Sequence, residues 1–330
     1  MKKILNELFE HRSLSKNQAR QILLDLSKNA FNEHELSAFM TVFLMRTITM
    51  DELMGFRDAL LELAIPIDFE GRQVMDIVGT GGDGKNTFNI STLSCFIVAG
   101  AGHPVAKHGS YGASSISGAS NLMDAVGYKF KNDQNKLREE LDTANMCFLH
   151  APVFHPALKT VGPIRKNLGV RTFFNMLGPM VNPSKPAFQL VGVYNLEMAR
   201  IYNYLLQSSD RKYALVHALD GYDEISLTSD VKVITSDGER VFTPEYLGGM
   251  AIAPHEIYGG DTVEEAAKLF MAILKGEGTS AQHAVVSANA AMAMLLTGQY
   301  ATYADAFEAA KESLISGKAY GVLKNLVAIQ

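Results

Sequence analysis

The sequence predicts an α/β protein with a small all-helical unit at its N-terminus. Three observations support this fold class. Residues 1–66 carry only helical periodicity, with capping residues ahead of the apolar runs. From about residue 70 onward, short apolar runs typical of buried strands alternate with helical segments. The composition, with 47% hydrophobic and 20% charged residues over 330 positions, is that of a globular chain with a large core.

The helical unit is predicted from its start and stop signals. Three apolar-periodic runs are preceded by residues that can accept hydrogen bonds from the first backbone amides of a helix. These are Ser15-x-x-Gln18, Asn32-Glu33 and Thr49-x-x-Glu52. Pro66 ends the third run, because proline cannot continue a helix. We interpret the Met and Phe side chains that recur along these helices as core packing.

Strands are predicted where short apolar runs occur after residue 70. The first run, 74–78, leads directly into a group of glycines, as a buried strand that feeds a turn does. A helix is predicted next, over 89–100. Similar strand-like runs follow at 146–149, 188–193, 213–217 and 231–234.

Punctuation residues mark the later helices and one crossing. Two helix starts and two helix stops are predicted, at Thr262-x-x-Glu265, Thr302-x-x-Asp305, Gly276 and Gly317. The Pro-rich stretch 178–186 is interpreted as a crossing between two units of the chain.

Composition and charge exclude several classes of protein. Lys and Arg number 30 against 35 Asp and Glu, so the net charge is −5. This charge argues against a nucleic-acid binder, because such a protein concentrates Lys and Arg on one face. No apolar run approaches the ~20 residues of a membrane span, and Glu7 comes too early for a secretory signal. Cys95 and Cys147 form neither a disulfide framework nor a metal-type spacing, which predicts a cytoplasmic protein.

The most informative motif is the glycine loop Gly79-Thr80-Gly81-Gly82-Asp83-Gly84, between a predicted strand and a predicted helix. Such a loop exposes backbone N–H groups at the N-terminus of a helix, where an anion is favoured. The loop therefore predicts a phosphate site, although a plain tight turn would use the same residues.

Two common phosphate motifs fit this loop only in part. The dinucleotide fingerprint G-x-G-x-x-G matches, but it needs an acidic residue ~20 positions later, and the first one after Asp83 is Asp124. The P-loop matches as far as Lys85, but Asn86 stands where a Mg²⁺-binding Ser or Thr is required. Thr87 comes one position too late, and no convincing Walker-B strand follows.

Four further motifs add specific chemistry. Thr87-Phe88-Asn89-Ile90-Ser91-Thr92 continues the glycine loop, and Lys107-His108-Gly109-Ser110-Tyr111-Gly112-Ala113-Ser114-Ser115 combines a cation, an imidazole, small residues and hydroxyls. Arg165 lies within a long motif over 155–179, and its planar guanidinium suits a carboxylate. Asp223 and Glu224 follow a predicted strand and offer the oxygen ligands that Mg²⁺ prefers.

In order and spacing, these motifs resemble those of the anthranilate phosphoribosyltransferase family over nearly the whole chain. The resemblance implies a helical domain at 1–70 with an inserted segment near 165–185, and an α/β domain at 71–330. It also implies a central mixed sheet flanked by helices, and a homodimer formed through the helical domain. The expected reaction transfers the phosphoribosyl group of 5-phosphoribosyl 1-pyrophosphate (PRPP) to the amine of anthranilate, with Mg²⁺, in L-tryptophan biosynthesis.

The resemblance also assigns site residues, by the positions that match the family's motifs. PRPP is expected to contact Gly79, Gly82, Asp83, Thr87, Asn89, Ile90, Ser91, Thr92, Lys107, His108, Gly109, Ser110, Tyr111, Gly112, Ala113, Ser114, Ser115 and Ala119. Anthranilate is expected at Gly79, Ser110 and Arg165, and Mg²⁺ at Ser91, Asp223 and Glu224. No catalytic base is identified, and His108 is the one candidate if a proton acceptor is needed.

The second phosphate segment, 107–115, and the residues after it differ from the family's usual pattern. Ser110 stands where the family usually has Asn, and Tyr111 where it has Arg. Ile116, Ala119 and Asn121 replace the usual Lys, Ser and Asp. Ala119 therefore lacks a hydroxyl that would contact phosphate, whereas Ser110 can still form a hydrogen bond.

Two other kinds of protein share part of this sequence pattern. Pyrimidine nucleoside phosphorylases share the fold type and a similar Lys-His loop, but they use inorganic phosphate and carry an added C-terminal domain for which this chain is expected to have no room. Some relatives of the family bind nucleic acid without transferase activity, but they carry a basic surface, which a net charge of −5 opposes.

Overall fold

The structure, a computed structural model, describes residues 1–112 and 116–330. The chain forms two compact units. The helical unit comprises Met1–Ile67 and Ala151–Lys185, and the α/β unit comprises Asp68–His150 and Pro186–Gln330. The Pro-rich stretch 178–186 thus contains one of the points at which the chain passes from one unit to the other.

The predicted start signals of the helical unit are confirmed. The side chains of Ser15, Asn32 and Thr49 each accept a hydrogen bond from a backbone amide in the first turn of a helix. Gln18, Glu35 and Glu52 complete the three capping boxes. The helices of this unit are α1 (Lys2–Phe9), α2 (Lys16–Ser27), α3 (Glu33–Met45), α4 (Met50–Leu63), α8 (Ala151–Phe154), α9 (Gly162–Leu168) and α10 (Phe174–Leu177), with 3₁₀ turns at Pro156–Lys159 and Gly178–Met180.

Aromatic side chains join the two stretches of the helical unit. Phe173, from the second stretch, stacks on Phe56 with ring centroids 4.5 Å apart. Its ring also meets Phe43 and Phe39 edge-on, at 5.0 and 6.2 Å. All four rings are buried, so core packing is confirmed for these phenylalanines, whereas Phe9 and Met45 of the same helical unit are exposed.

A buried carboxylate forms hydrogen bonds with three other residues of the same unit. Glu52 is fully buried and accepts bonds from the backbone amides of Leu14 and Thr49, both at 2.9 Å. Arg46 donates to both of its carboxylate oxygens, at 2.5 and 2.9 Å. Burial raises the pKa of Glu52, but these bonds outweigh burial and hold the pKa below its ordinary value.

The α/β unit contains one mixed sheet of seven strands in the order β3-β2-β1-β4-β5-β6-β7. The strands are β1 (Met75–Gly79), β2 (Val105–Gly109), β3 (Met146–His150), β4 (Phe188–Gly192), β5 (Lys212–Ala218), β6 (Val231–Thr235) and β7 (Gly238–Phe242). The first five pair in parallel, and β6 and β7 are antiparallel additions at one edge.

Apolar helices pack against this sheet. Those of the α/β unit are α5 (Ile90–Gly100), α6 (Ala119–Ala125), α7 (Gln134–Ala144), α11 (Leu196–Gln207), α12 (Pro244–Gly248), α13 (Val263–Leu274), α14 (Ser280–Leu295), α15 (Tyr303–Ile315) and α16 (Lys318–Ala328), with a 3₁₀ turn at Pro254–Ile257. Most residues of α5 and α14 are buried, so these two helices form the centre of the core. The predicted fold class is confirmed. None of the helices in the described part of the chain is long and apolar enough to cross a membrane.

Five strands were predicted, and two were not. Strand β2 contains the buried polar residues Lys107 and His108, which interrupt its apolar run. Strand β7 lies at the sheet edge with exposed polar residues, so it lacks the pattern of a buried strand.

Candidate active site

Parallel strands bring the predicted motifs of the α/β unit to one edge of the sheet. The carboxyl ends of β1, β2, β4 and β5 all point to this edge, because the four strands are parallel neighbours. The strand order also reverses at β1, which lies between β2 and β4 in the sheet. The chain adds β2 and β3 on one side of β1, and β4 to β7 on the other. In open α/β sheets, ligands bind outside the carboxyl ends of the strands at such a reversal.

The glycine loop leaves β1 at this edge, and its backbone explains its composition. Gly81, Gly82 and Gly84 have φ values of +65°, +82° and +73°, a region in which a side chain is strained. The Asp83 carboxylate turns back within the loop and accepts a bond from the Lys85 amide at 3.0 Å. The loop is therefore a tight, glycine-dependent turn at the sheet edge.

Two glycines make room for the acidic turn that follows β5. Gly79 and Gly192 are register partners at the ends of β1 and β4. A Cβ on Gly79 would clash with the carboxylate of Asp223, and a Cβ on Gly192 would overlap the Asp223 carbonyl oxygen. Gly192 was not singled out from the sequence. The sequence shows only a glycine at the end of a buried strand, and its role becomes clear from the pairing of β4 with β1 and from the position of Asp223.

Hydrogen bonds connect the acidic pair to the first phosphate segment, 79–92. Asp223 Oδ2 accepts from the Gly81 amide at 2.7 Å. Glu224 Oε1 accepts from the Ser91 amide at 3.0 Å, and Glu224 Oε2 accepts from the Thr87 hydroxyl at 3.2 Å. Residues that are more than 130 positions apart in the chain are thus brought together.

Three carboxyl groups share this small volume. Burial, and next the charge of Asp83, raise the pKa of Asp223 to about 7. Burial and the charges of Asp223 and Asp83 raise the pKa of Glu224 well above its ordinary value, and burial raises the pKa of Asp83. Within 1–112 and 116–330, no salt bridge reaches any of the three. Ionisation of all three carboxyl groups is therefore unfavourable unless a cation compensates their charge.

The chemistry of these donors fits Mg²⁺ that is shared with a phosphate ligand. Among the described residues, no group of three His, Cys, Asp or Glu side chains could hold a metal ion by itself. Mg²⁺ commonly takes one or two protein carboxylates and completes its coordination with substrate phosphates and water. The buried pair Asp223 and Glu224 supplies that number of carboxylates.

Helix α5 starts next to the acidic pair. Asn89 precedes the helix, and its side-chain amide donates to the carbonyl of Ser117 at 3.2 Å. Ile90 and Thr92 are fully buried. The buried hydroxyls of Thr80 and Thr92 have no hydrogen-bond partner within the described part of the chain.

The second phosphate segment leaves the carboxyl end of β2. Lys107 is 2% exposed, and its ammonium donates to the carbonyl of Ile77 in β1 at 2.7 Å. The amide of His108 donates to Asp76 Oδ1 at 3.2 Å. A Cβ on Gly109 would lie 2.7 Å from the Phe148 ring and 3.1 Å from Ala119. Close packing therefore requires glycine at the end of this strand.

Two side chains that differ from the family's usual residues organise the rest of this segment. Asn121 Oδ1 accepts from the amides of Gly112 and Gly118, at 3.0 and 3.1 Å. The exposed Tyr111 ring meets the ring of His150 edge-on at 5.0 Å. The amide of Ser120 donates to the Ser110 carbonyl at 3.1 Å. The predicted contacts of Ala113, Ser114 and Ser115 lie outside the described residues.

His150 was not recognised from the sequence. It ends β3, stacks on Phe130 with ring centroids 4.0 Å apart, and shares a 2.8 Å hydrogen bond with the Ser120 hydroxyl. Burial lowers the pKa of His150 to about 4, so the imidazole is neutral at pH 7. It therefore packs against Tyr111 and Ser120 as a neutral side chain.

Arg165 belongs to the helical unit, on α9. The Asn175 side chain accepts from the Arg165 guanidinium at 3.2 Å and from the Thr172 amide at 3.1 Å. The guanidinium carbon lies 5.5 Å from the centre of the Phe174 ring. Burial lowers the pKa of Arg165 from its ordinary value. This guanidinium is thus oriented by an amide and a ring, and no carboxylate neutralises it among the described residues.

Comparison with known proteins gives a consistent result over the whole chain. The α/β domain model of a glycosyl transferase family matches residues 71–320, and that family's helical bundle domain model matches residues 2–64. An anthranilate phosphoribosyltransferase of Flavobacterium johnsoniae is 56% identical over 326 residues, which cover 99% of this chain and 98% of that protein. One of Bacteroides thetaiotaomicron is 52% identical, covering 100% of this chain and 99% of that protein.

Solved structures agree with these relatives. The anthranilate phosphoribosyltransferase of Thermus thermophilus superposes with a TM-score of 0.90 at 31% identity, covering 98% of both chains. The enzyme of Saccharomyces cerevisiae in complex with PRPP and Mg superposes with a TM-score of 0.90 at 25% identity, covering 98% of this chain and 96% of that one. With this agreement in sequence, in fold and in the order of its motifs, the chain belongs to the anthranilate phosphoribosyltransferase family.

Proposed function

We propose that this chain catalyses its family's reaction, in which anthranilate and PRPP give N-(5-phosphoribosyl)anthranilate and pyrophosphate, within L-tryptophan biosynthesis. The observation that carries the proposal is the meeting of the first phosphate segment, 79–92, with Asp223 and Glu224 at the carboxyl edge of the sheet. Full-length relatives that are more than half identical and bear this name support it.

The phosphate groups of PRPP are assigned to the two phosphate segments of the α/β unit. In the first, the donors are backbone amides of Gly79, Gly82 and Asp83, and residues of the run from Thr87 through Asn89, Ile90, Ser91 and Thr92. The unpartnered hydroxyl of Thr92 and the start of α5 favour a bound anion there. In the second, the donors lie in the run from Lys107 to Ser115 and beside Ala119.

Lys107 is proposed to act mainly through its charge. Its ammonium is buried and already donates to the Ile77 carbonyl, so its positive charge is held against the middle of β1. An ammonium has two further N–H donors beyond that bond. Such a buried cation would stabilise negative charge that develops on the leaving group.

We assign Mg²⁺ to Asp223 and Glu224, with Ser91 as a further ligand. The amide of Ser91 already donates to Glu224, which places this serine beside the carboxylate pair. When bound, Mg²⁺ would supply positive charge to the pyrophosphate as it leaves. The protein's own part is to hold both carboxylates through the bonds from Gly81, Ser91 and Thr87.

Anthranilate is assigned to Arg165, Gly79 and Ser110. Asn175 holds the Arg165 guanidinium, which would bind the anthranilate carboxylate as a planar pair of hydrogen bonds. Ser110 stands where the family usually has Asn, and its shorter side chain offers one hydroxyl.

The chemical step forms a bond between the amine nitrogen and C1 of the ribose, and breaks the bond between C1 and the pyrophosphate oxygen. The bonding electron pair leaves with the pyrophosphate, and the nitrogen then releases a proton. An aromatic amine is neutral at pH 7, so it needs no strong base. We therefore assign catalysis to the positioning of substrates and to charge stabilisation.

Assembly and location complete the proposal. We assign a homodimer formed through the helical unit, whose exposed apolar side chains include Phe9 and Met45, 59% and 84% exposed. A cytoplasmic location is supported by Cys95 and Cys147, which are both free thiols.

The test follows the fluorescence of anthranilate in the presence of PRPP and Mg²⁺. We expect a decay that requires all components, with pyrophosphate released in equal amount and the product confirmed by mass spectrometry. Folded protein that consumes no anthranilate would overturn the proposal. Replacement of PRPP by inorganic phosphate and a pyrimidine nucleoside tests the phosphorylase alternative, for which we expect no turnover.

A further inference from the structure

We infer that residues 257–260 position the first phosphate segment for binding of PRPP with Mg²⁺, with Gly259 and Asn86 as positioning residues. The inference rests on the proposed function. None of the contacts assigned to substrate or metal includes a residue of 257–260 or Asn86.

A short antiparallel pairing joins the two stretches. Thr87 and Tyr258 form an isolated β-bridge. The amide of Gly259 donates to the Asn86 carbonyl at 2.8 Å, and the amide of Phe88 donates to the Ile257 carbonyl at 3.2 Å. The backbone on both sides of Thr87 is thus held by residues about 170 positions further along the chain.

A side chain adds a third bond to this pairing. Asn86 Nδ2 donates to the carbonyl of Gly260 at 2.7 Å. Asn86 is the residue that departs from the P-loop pattern, and in the structure its side chain holds the loop to Gly260 through this hydrogen bond. Beyond the pairing, Phe88 and Ile257 are each 1% exposed and belong to the main apolar core, so the pairing rests on a rigid base.

The space at Gly259 shows how closely the stretches approach. A Cβ on Gly259 would lie 2.6 Å from the Thr87 carbonyl oxygen, 2.7 Å from its carbonyl carbon and 3.0 Å from the Phe88 amide nitrogen. All three are backbone atoms, which cannot turn aside as a flexible side chain can. A side chain at this position would therefore displace the peptide between Thr87 and Phe88.

Thr87 passes such a displacement on to the acidic pair. Its hydroxyl donates to Glu224 Oε2, while Ser91, four residues later, donates to Glu224 Oε1. A shift of Thr87 removes one of the two groups that hold this carboxylate. Because Glu224 is assigned to Mg²⁺, the effect reaches the metal and the pyrophosphate but not Arg165.

The test compares Gly259→Ala and Asn86→Ala with the unaltered chain. Titration calorimetry with PRPP and Mg²⁺ should give a Kd at least tenfold higher in both variants. Steady-state assays should show a matching rise in the KM for PRPP and in the Mg²⁺ concentration for half-maximal rate. The KM for anthranilate should stay within twofold. Gly321→Ala is the matched control, because the added Cβ would meet nothing within 4 Å beyond its chain neighbours and the backbone of its own helix.

Each outcome decides the inference. Folded variants that bind PRPP and respond to Mg²⁺ like the unaltered chain would overturn it, as would an equal rise in both KM values. If Gly259→Ala does not melt cooperatively, Asn86→Ala decides, since it removes one side-chain bond at a half-buried position. If the unaltered chain itself neither binds PRPP nor turns over, the proposed function fails and the inference with it.

Discussion

The Thr87 hydroxyl lies 3.2 Å from Glu224 Oε2 and donates a hydrogen bond to it across 137 positions of the chain. This bond joins the segment after β1 to the turn after β5. Together with the bonds from Gly81 and Ser91, it places two buried carboxylates beside the glycine loop. The relationship between Thr87 and Glu224 is thus the local basis of the proposed Mg²⁺ site.

Removal of charge from the acidic pair should weaken the response to Mg²⁺. Asp223→Asn and Glu224→Gln keep the size of each side chain, but each replaces a carboxylate oxygen by an amide nitrogen that cannot bind the cation. We expect the Mg²⁺ concentration for half-maximal rate to rise at least tenfold in each. Asp230→Asn, at an exposed position nearby in the chain, is the control. Unchanged Mg²⁺ titrations would show that the pair is merely structural.

Arg165 should act on the acceptor alone. A charge-assisted hydrogen bond contributes about 1.5–3 kcal/mol, so Arg165→Ala should raise the KM for anthranilate by roughly 10- to 150-fold. The KM for PRPP should change little. Lys166→Ala removes the neighbouring exposed cation and should leave both values unaltered. An unchanged KM for anthranilate in Arg165→Ala would contradict the assigned role.

Glu52 should be important for stability of the helical unit but not for chemistry. Glu52→Gln leaves Arg46 without its anionic partner at a buried site, which costs about 3 kcal/mol. Because the pKa of Glu52 is below its ordinary value, its contribution is present above about pH 4.5 and is lost as the pH falls further. Urea unfolding followed by circular dichroism measures the change. Glu62→Gln, which breaks the exposed pair with Arg20, should cost less than about 1 kcal/mol.

His150 should make the α/β unit sensitive to acid. Its pKa is about 4 in the folded chain and 6.5 as the ordinary value, so the unfolded chain binds the proton more readily between these values. Its contribution is fully present above about pH 6.5 and is lost as the pH falls, by about 2 kcal/mol at pH 5.

His150→Asn should remove this part of the acid sensitivity. Thermal melting between pH 5 and pH 8 would show a smaller decrease in stability than in the unaltered chain. His34→Asn, at an exposed histidine, should leave the profile unchanged. Identical profiles for His150→Asn and the unaltered chain would mean that another group is responsible.

Local signals were sufficient for much of the fold. Capping residues marked the starts of α2, α3 and α4, and apolar runs marked five strands, because these features depend on neighbouring residues. Strand β7 was missed since its pairing with β6, rather than its own polar sequence, makes it a strand.

The site shows the same division between local and long-range information. Motif residues such as Thr87, Asp223 and Glu224 could be found in the sequence, and the sheet brings them together. Gly192 and Gly259 could not, because each is defined by a backbone atom far along the chain that leaves no room for a Cβ. Their importance follows from packing, which only the three-dimensional arrangement reveals.

Calorimetric titration of the unaltered chain with PRPP, with and without Mg²⁺, tests the proposed donor site most directly. The same titration is done on a double variant that carries both Asp223→Asn and Glu224→Gln. We expect the unaltered chain to bind PRPP at least tenfold more tightly with Mg²⁺ than without it. The double variant should lose that difference. Equal affinities with and without Mg²⁺ in the unaltered chain, or a full Mg²⁺ effect in the double variant, would contradict the assignment of these carboxylates to the metal.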